Sequence, residues 1–340
     1  MSGVQVCELQ QTGGFRQFET VRTGRLHQSM AQIKFPFKPT FSGHETFVLR
    51  QLWLRKAFAE VAKHGALAPK SVFSDESAIE RFGVGKNMVA SIRHWALACD
   101  VIRDSEDGES LVAGEIGDFL FGNRGHDPFL ERDATVWLVH WLLAGRAKRS
   151  ATWYVVFNYV DTQSFDSKHV VKLIADYATE NKAVRSKTTL VRDVEVCLRG
   201  YATVGLRDAT EDTAEPLLAD LGLLSAASGG IYHFNRGSHY SLPDGVFAYA
   251  LLEFWERWGR ESEASQSTLS FNAIAHDYGS PGRVFKLSED AVGERLSMIS
   301  EITNGYLQWT DSSGLRQVSR VGSEPISRIK TKMLRSAYGR

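Results

Sequence analysis

The sequence predicts a mainly α protein with small β-hairpin wings, organised as multiple winged-helix-like units. Three observations carry that prediction. Residues 75–113 read as short helix, glycine turn, second helix and hairpin. Several other stretches place apolar residues at helical spacing. Residues 270–321 repeat the order of helices followed by a hairpin.

Residues 1–40 lack periodicity and read as a flexible arm, punctuated at its end by Pro36 and Pro39. A helix is expected over 47–63, with Leu49, Leu52, Trp53, Ala57 and Phe58 on its apolar side. Ala78, Ile79 and Phe82 write a short helix, and Gly83 follows where a sharp turn needs positive φ. A second helix spans 85–98. Val89, Ile92, Trp95, Ala96 and Cys99 share one of its faces. The opposite face carries Lys86, Asn87, Ala90, Ser91 and His94, with Arg93 on its flank. Such short or hydrogen-bonding residues suit a helix entering a DNA major groove, so all of these except Ala90 are candidate DNA-binding residues. Val101–Asp104 and Ser110–Ala113, joined by Glu106-Asp107-Gly108, form the expected wing.

An apolar helix is expected over 133–143, where Trp137 and Trp141 at i, i+4 read as core. Helices follow over 169–178 and 190–201. Between them lie Lys182, Arg185 and Lys187, beside Ser186, Thr188 and Thr189. That turn is either a solvated connection or a phosphate contact, with Arg185 and Lys187 as the candidate DNA-binding residues. Residues 246–258 form an aromatic-rich helix, and 261–267 a linker. In the second winged unit Ser288 caps a helix whose first turn holds Glu289 and Asp290. Acidic side chains repel phosphate, so this unit is expected to contact protein or serve structure. The resulting organisation is an arm (1–40), a helical and winged helix-turn-helix domain (41–145), a central helical domain (146–260), a second winged-helix-like domain (268–321) and a basic tail (322–340).

Composition bounds the function. Of 340 residues 43% are apolar, ordinary for a globular protein. The formal net charge is zero, so any DNA contact must use local basic patches. Cys7, Cys99 and Cys197 have neither zinc nor disulfide spacing, which with the missing signal peptide suggests a cytoplasmic protein. No apolar run reaches membrane-spanning length, so no membrane partner is expected. Phosphate-binding loops, dinucleotide fingerprints and zinc-protease motifs are absent from the sequence.

The most unusual local sequence is Phe41-Ser42-Gly43-His44-Glu45-Thr46-Phe47. His44 and Glu45 are the candidate catalytic pair, with Glu45 the candidate metal ligand. The alternative is structural: Ser42 or Thr46 caps a helix, Glu45 favours its dipole and His44 fills a polar slot. Asp193 and Glu195 are the next carboxylates to consider, but helical spacing separates them.

The segments FSGHETFVLRQLWLRK (41–56), DPFLERDATVWLVHWLL (127–143), TLVRDVEVCLRGY (189–201) and GSPGRVFKLSED (279–290) are similar to a family of SspB-type DNA-nicking subunits of bacterial DNA phosphorothioation systems. The resemblance covers most of 41–321. It implies a DNA-binding component that nicks DNA with magnesium (Mg2+), so that sulfur can replace a backbone oxygen. It implies DNA as a partner, together with the sulfur-transfer and ATPase proteins of the same system. A non-catalytic DNA-recognition scaffold and a winged-helix transcriptional regulator are the alternatives. No family catalytic residue maps onto this chain by motif.

Overall fold

The structure is a computed structural model that describes residues 38–202, 216–261, 267–312 and 314–339. The expected arm lies almost wholly outside the described residues, as does most of the expected linker.

Helix dominates. The amino-terminal part runs α1 (Trp53–Ala62), β1 (Ala68–Pro69), α2 (Ala78–Phe82), α3 (Lys86–Ala98), β2 (Ile102–Asp104), β3 (Ser110–Ala113) and α4 (Glu115–Phe121). Strands β1, β3 and β2 make one antiparallel sheet, with Ala68 opposite Leu111 and Arg103 opposite Val112. Gly83 has φ 64°, as the α2–α3 turn demands. Helix α1 begins six residues later than expected. The segment before it is held extended instead: Trp95 Nε1 donates to the Phe47 carbonyl at 3.2 Å.

Two helices fill the centre, α5 (Asp133–Ala144) and α6 (Ala151–Tyr159). Every α6 residue is buried, and in α5 only Asp133 is not. A helix apolar on all sides has no solvent face and belongs inside. Trp137 and Trp141 are fully buried, as their spacing predicts. Around this pair lie β4 (Ser164–Asp166), α7 (Ser167–Glu180), α8 (Lys187–Tyr201), β5 (Leu224–Ala226), β6 (Ile231–Phe234) and α9 (Asp244–Glu261). Strands β4, β6 and β5 form the second sheet.

The remaining elements are β7 (Thr268–Ser270), α10 (Phe271–His276), α11 (Pro281–Val284), α12 (Glu289–Ser297), α13 (Ile299–Ile302), β8 (Leu307–Ser312), β9 (Leu315–Arg320) and α14 (Ile326–Ser336). The third sheet has the order β7-β9-β8. Ser288 accepts from Ala291 N at 3.2 Å, the cap expected for α12. Within the expected basic tail, α14 packs on α9 and buries Ile329, Met333 and Leu334.

Polar bonds tie these parts together across the core. His140 on α5 contacts the Val284 carbonyl through Nε2 at 2.9 Å and Tyr201 Oη through Nδ1 at 2.7 Å. A carbonyl only accepts, so Nε2 carries the proton and Nδ1 accepts from the tyrosine. Arg146 donates to Glu253 on α9, and Trp141 Nε1 donates to the same carboxylate at 2.5 Å. Among the described residues no helix is long and apolar enough to cross a membrane.

Candidate functional site

The segment Phe41–Phe47 folds into a loop that residues distant in sequence hold in an unfavourable backbone. Ser42, Gly43, Glu45 and Thr46 all have φ between 48° and 101°. For three of these residues that region is sterically costly. Gly43 is required twice over: its φ is 101°, and a Cβ there would come within 2.7 Å of His94 Nδ1.

Asp193 is the clamp. Its buried carboxylate accepts from Ser42 N at 2.7 Å and His44 Nε2 at 2.5 Å through Oδ1, and from the Thr152 hydroxyl through Oδ2. Thr46 N donates to His44 Nδ1 at 3.2 Å, so Nε2 carries the ring proton. Arg199, six residues after Asp193 on α8, donates to the Thr46 carbonyl at 2.9 Å. His44 lies parallel to Trp95, with ring centroids 5.9 Å apart, and meets Trp153 edge-on.

This geometry separates the expected catalytic pair. His44 is buried with both ring nitrogens engaged, whereas Glu45 is exposed. The two adjacent side chains therefore sit in different surroundings, one in the core and one in solvent. Asp193 and Glu195 diverge as well, one buried and one exposed, as helical spacing requires. Among the described residues no three His, Cys, Asp or Glu side chains converge to hold a metal ion. Asp193 already satisfies three donors, and Glu45 stands alone as a carboxylate.

Helix α3 carries the second candidate surface. Lys86 and Asn87 are exposed in its first turn, and Ala90 and Arg93 are half-buried along the same edge. Ser91 and His94 correct the sequence expectation, because both are buried. The Phe41–Phe47 loop covers the carboxyl-terminal half of α3 and turns His94 into a core residue. Burial first, then the neighbouring His44, lowers the His94 pKa to about 3, against the pull of Asp193.

Beside α3 the hairpin gathers cations that share no sequence motif. Lys70 Nζ lies 3.0 Å and an Arg149 nitrogen 2.9 Å from the Asp104 carboxylate. Burial alone would raise the Asp104 pKa; Lys70, then Arg149 and Arg93, hold it below the usual value. Arg93 Nε is buried without a hydrogen-bond partner. Lys70, Arg149 and Arg93 thus gather around Asp104, with Asp107 also near Lys70, and make a local basic cluster on a neutral chain. Lys70 and Arg149 were invisible in the sequence, since only the fold brings them to α3.

Arg185 and Lys187 are exposed at the start of α8. Ser186 caps that helix, accepting from Thr189 N at 3.2 Å. Lys187 precedes Asp193 by six residues, about 9 Å along the helix axis. The phosphate-contact expectation therefore keeps an exposed, cationic helix start, but the turn does not join the α3 surface through any bond among the described residues.

Residues 41–338 match the family described as Protein of unknown function (DUF4007). The chain belongs to that family. No curated protein matches it. Among solved structures, a magnesium ion-bound SspB crystal structure is similar at 24% identity and TM-score 0.76, covering 88% of each chain. An SspB crystal structure is similar at 26% identity and TM-score 0.75, again over 88% of each. This DUF4007 chain therefore has an SspB-like fold along most of its length.

Proposed function

We propose that this protein is the DNA-binding component of a bacterial DNA phosphorothioation system, acting in the cytoplasm with that system's sulfur-transfer and ATPase proteins. The SspB likeness supports membership of the system. The observation that carries DNA binding is the exposed edge of α3, with Lys86, Asn87 and Arg93 beside the Lys70–Arg149 cluster. The order α1, β1, α2, α3, β2, β3 is compatible with a winged helix, in which α3 would enter the major groove and the β2–β3 hairpin would flank it. Arg185 and Lys187 would add phosphate contacts.

The enzymatic form of this reading is magnesium-supported nicking, in keeping with the magnesium-bound state of one similar SspB structure. It assigns no metal ligand here beyond the exposed Glu45. A non-catalytic recognition scaffold is the second reading, favoured by His44, whose nitrogens are taken by Asp193 and Thr46.

Two measurements test the proposal. Lys86→Glu with Arg93→Glu should reduce duplex DNA affinity at least tenfold; unchanged affinity would remove α3 as the DNA surface. A supercoiled-plasmid assay with and without magnesium then separates the two forms. Magnesium-dependent open circles that disappear with the double variant support nicking, and none in a DNA-bound wild type supports the scaffold.

A further inference from the structure

The loop 235–241, which follows β6, is unusual in being rigid and yet presenting an almost naked aromatic ring. Tyr240 is 95% exposed. Its loop is pinned at nearly every residue. Asn235 Nδ2 donates to the Gly222 carbonyl at 2.7 Å, and Asn235 N to Leu223 O at 3.0 Å. Gly237 N donates to Lys286 O at 3.2 Å, and Ser288 N to Gly237 O at 3.3 Å. Arg295 donates to the Ser238 and His239 carbonyls at 3.0 and 3.2 Å and to Asp244 at 2.6 Å. Trp137 Nε1 donates to Ser241 Oγ at 3.1 Å. His239 takes a φ of 46°, a conformation these bonds maintain. A ring held this way loses little entropy when something stacks on it, since only its own two torsions remain free.

The charge around the loop indicates what would stack there. Arg236 is exposed at its outer edge and makes no hydrogen bond or ion pair with any described residue. Beneath it Lys286 is fully buried, Nζ donating to Phe157 O at 2.8 Å and sitting 3.8 Å from the Phe234 ring centre, and that burial pushes its pKa well below the usual lysine value. Arg283 is close by, already bonded to Asp161, the Asn158 carbonyl and the His276 carbonyl. Partial burial first, then Arg283, lowers the Arg236 pKa, against the pull of Asp161. Asp161 is bonded to Arg283, so an anion beside Arg236 would meet a guanidinium that no carboxylate bonds directly. Asp244, the other carboxylate at the loop, is taken by Arg295.

From these observations we infer that loop 235–241 is a second nucleic-acid contact, in which Tyr240 stacks on an unpaired base and Arg236 takes an adjacent phosphate. This rests on the DNA-binding reading above and extends it to single-stranded or locally opened DNA. An aromatic face beside a free cation is the pairing that binds single strands without a sequence code, whereas a duplex keeps its base faces covered.

The test uses the full chain, a short labelled single strand, and the same sequence as duplex. Tyr240→Ala should weaken the single strand roughly tenfold and leave the duplex within about twofold. Tyr240→Phe and Tyr240→Trp should keep wild-type affinity. Arg236→Gln should reduce the salt slope of single-strand binding by about 0.7. A 2-aminopurine base in the strand should be quenched on wild type and less so on Tyr240→Ala. Unchanged single-strand affinity in Tyr240→Ala would overturn the inference, and is also the result expected if the ring instead anchors a protein. Equal losses on both DNA forms would overturn it too. Duplex binding that depends on Lys86 and Arg93 but a single strand indifferent to Tyr240 sinks this inference alone. A wild type that binds neither DNA form sinks the α3 reading and this one with it.

Discussion

His44 Nε2 donates to Asp193 Oδ1 at 2.5 Å, joining residues 149 apart in sequence and fixing the family-like loop to α8. The bond makes His44 a strut as well as a side chain of chemical interest. Asp193→Ala would leave Ser42 N, His44 and the Thr152 hydroxyl without their acceptor and release the positive-φ backbone. Buried charged hydrogen bonds of this kind support a loss of about 3 kcal/mol in urea unfolding. Thr152→Val should cost about 1 kcal/mol. A loss in Asp193→Ala no larger than that of Thr152→Val would mean the loop stands without its clamp.

Stability should fall as pH drops below 6.5. His94 and His140 have folded pKa values lowered to about 3, in each case by burial first. The unfolded chain therefore binds protons that the folded chain refuses. Their contribution is complete above the unfolded value of 6.5 and is lost progressively as pH falls towards 3. Each histidine contributes a slope of up to about 1.4 kcal/mol per pH unit within that window. Burial raises Asp277 to about 6, so it works in the opposite direction between pH 6 and its usual 3.8. Chemical denaturation across this range should show a positive slope, reduced in His94→Gln. A flat profile in the wild type would contradict the assignment of both histidines as buried and neutral.

What the sequence revealed and what it hid follow from how each signal is written. The α2–α3 turn, the β2–β3 hairpin and the α12 cap are local: Gly83, Gly108 and Ser288 encode them without help from the rest of the chain. Helix α6 was not expected although α5, buried on every side in the same way, was; all-round burial removes the polar–apolar alternation and leaves only apolar content to mark a helix. The face of α3 was half legible. Lys86 and Asn87 are exposed as spacing predicts, but Ser91 and His94 share that face and are buried, His94 against the Phe41–Phe47 loop. Periodicity identifies a helix's faces and not which distant segment covers one of them. Likewise His44 was singled out by its motif and Asp193 only as a spare carboxylate. Their pairing is a property of tertiary structure.

Asn87 is the exposed α3 side chain best suited to a base edge, since its amide can both donate to and accept from adenine. Asn87→Ala should cost about 1–3 kcal/mol on a preferred site and little on unrelated duplexes. Lys86→Ala should instead weaken both equally. An Asn87→Ala loss that is uniform across sequences would reduce Asn87 to a phosphate contact.

Glu45 is exposed, so Glu45→Gln should unfold at the wild-type temperature and bind duplex DNA normally. If Glu45 serves a magnesium-supported nick, that variant loses open-circle formation on supercoiled plasmid. His44→Ala does not offer so clean a test, because it also breaks the Asp193 clamp. A wild-type nicking rate in a DNA-bound Glu45→Gln would remove Glu45 from the chemistry.

Charge on α14 gives the last prediction, and the structure changes how it must be tested. Removing 322–340 would delete the buried Ile329, Met333, Leu334 and Tyr338, expose the α9 surface that α14 packs on, and take away the contacts of Arg132 and Thr135 with Tyr338. Such a truncation should lose stability and soluble protein whether or not the segment touches DNA. Charge reversal is the cleaner probe. Lys330 pairs with Glu256 at 2.5 Å and Lys332 with Glu324 at 2.8 Å, so neither is free for phosphate. Arg328, with Glu324 only 3.9 Å away, and Arg335 are the exposed arginines, seven residues apart on one helix face. With most of its charge answered internally, α14 should act as a packing helix. Arg328→Glu with Arg335→Glu should then leave duplex affinity and its salt slope unchanged. A fall of nearly two in that slope would show both arginines on phosphates and make α14 part of the DNA surface.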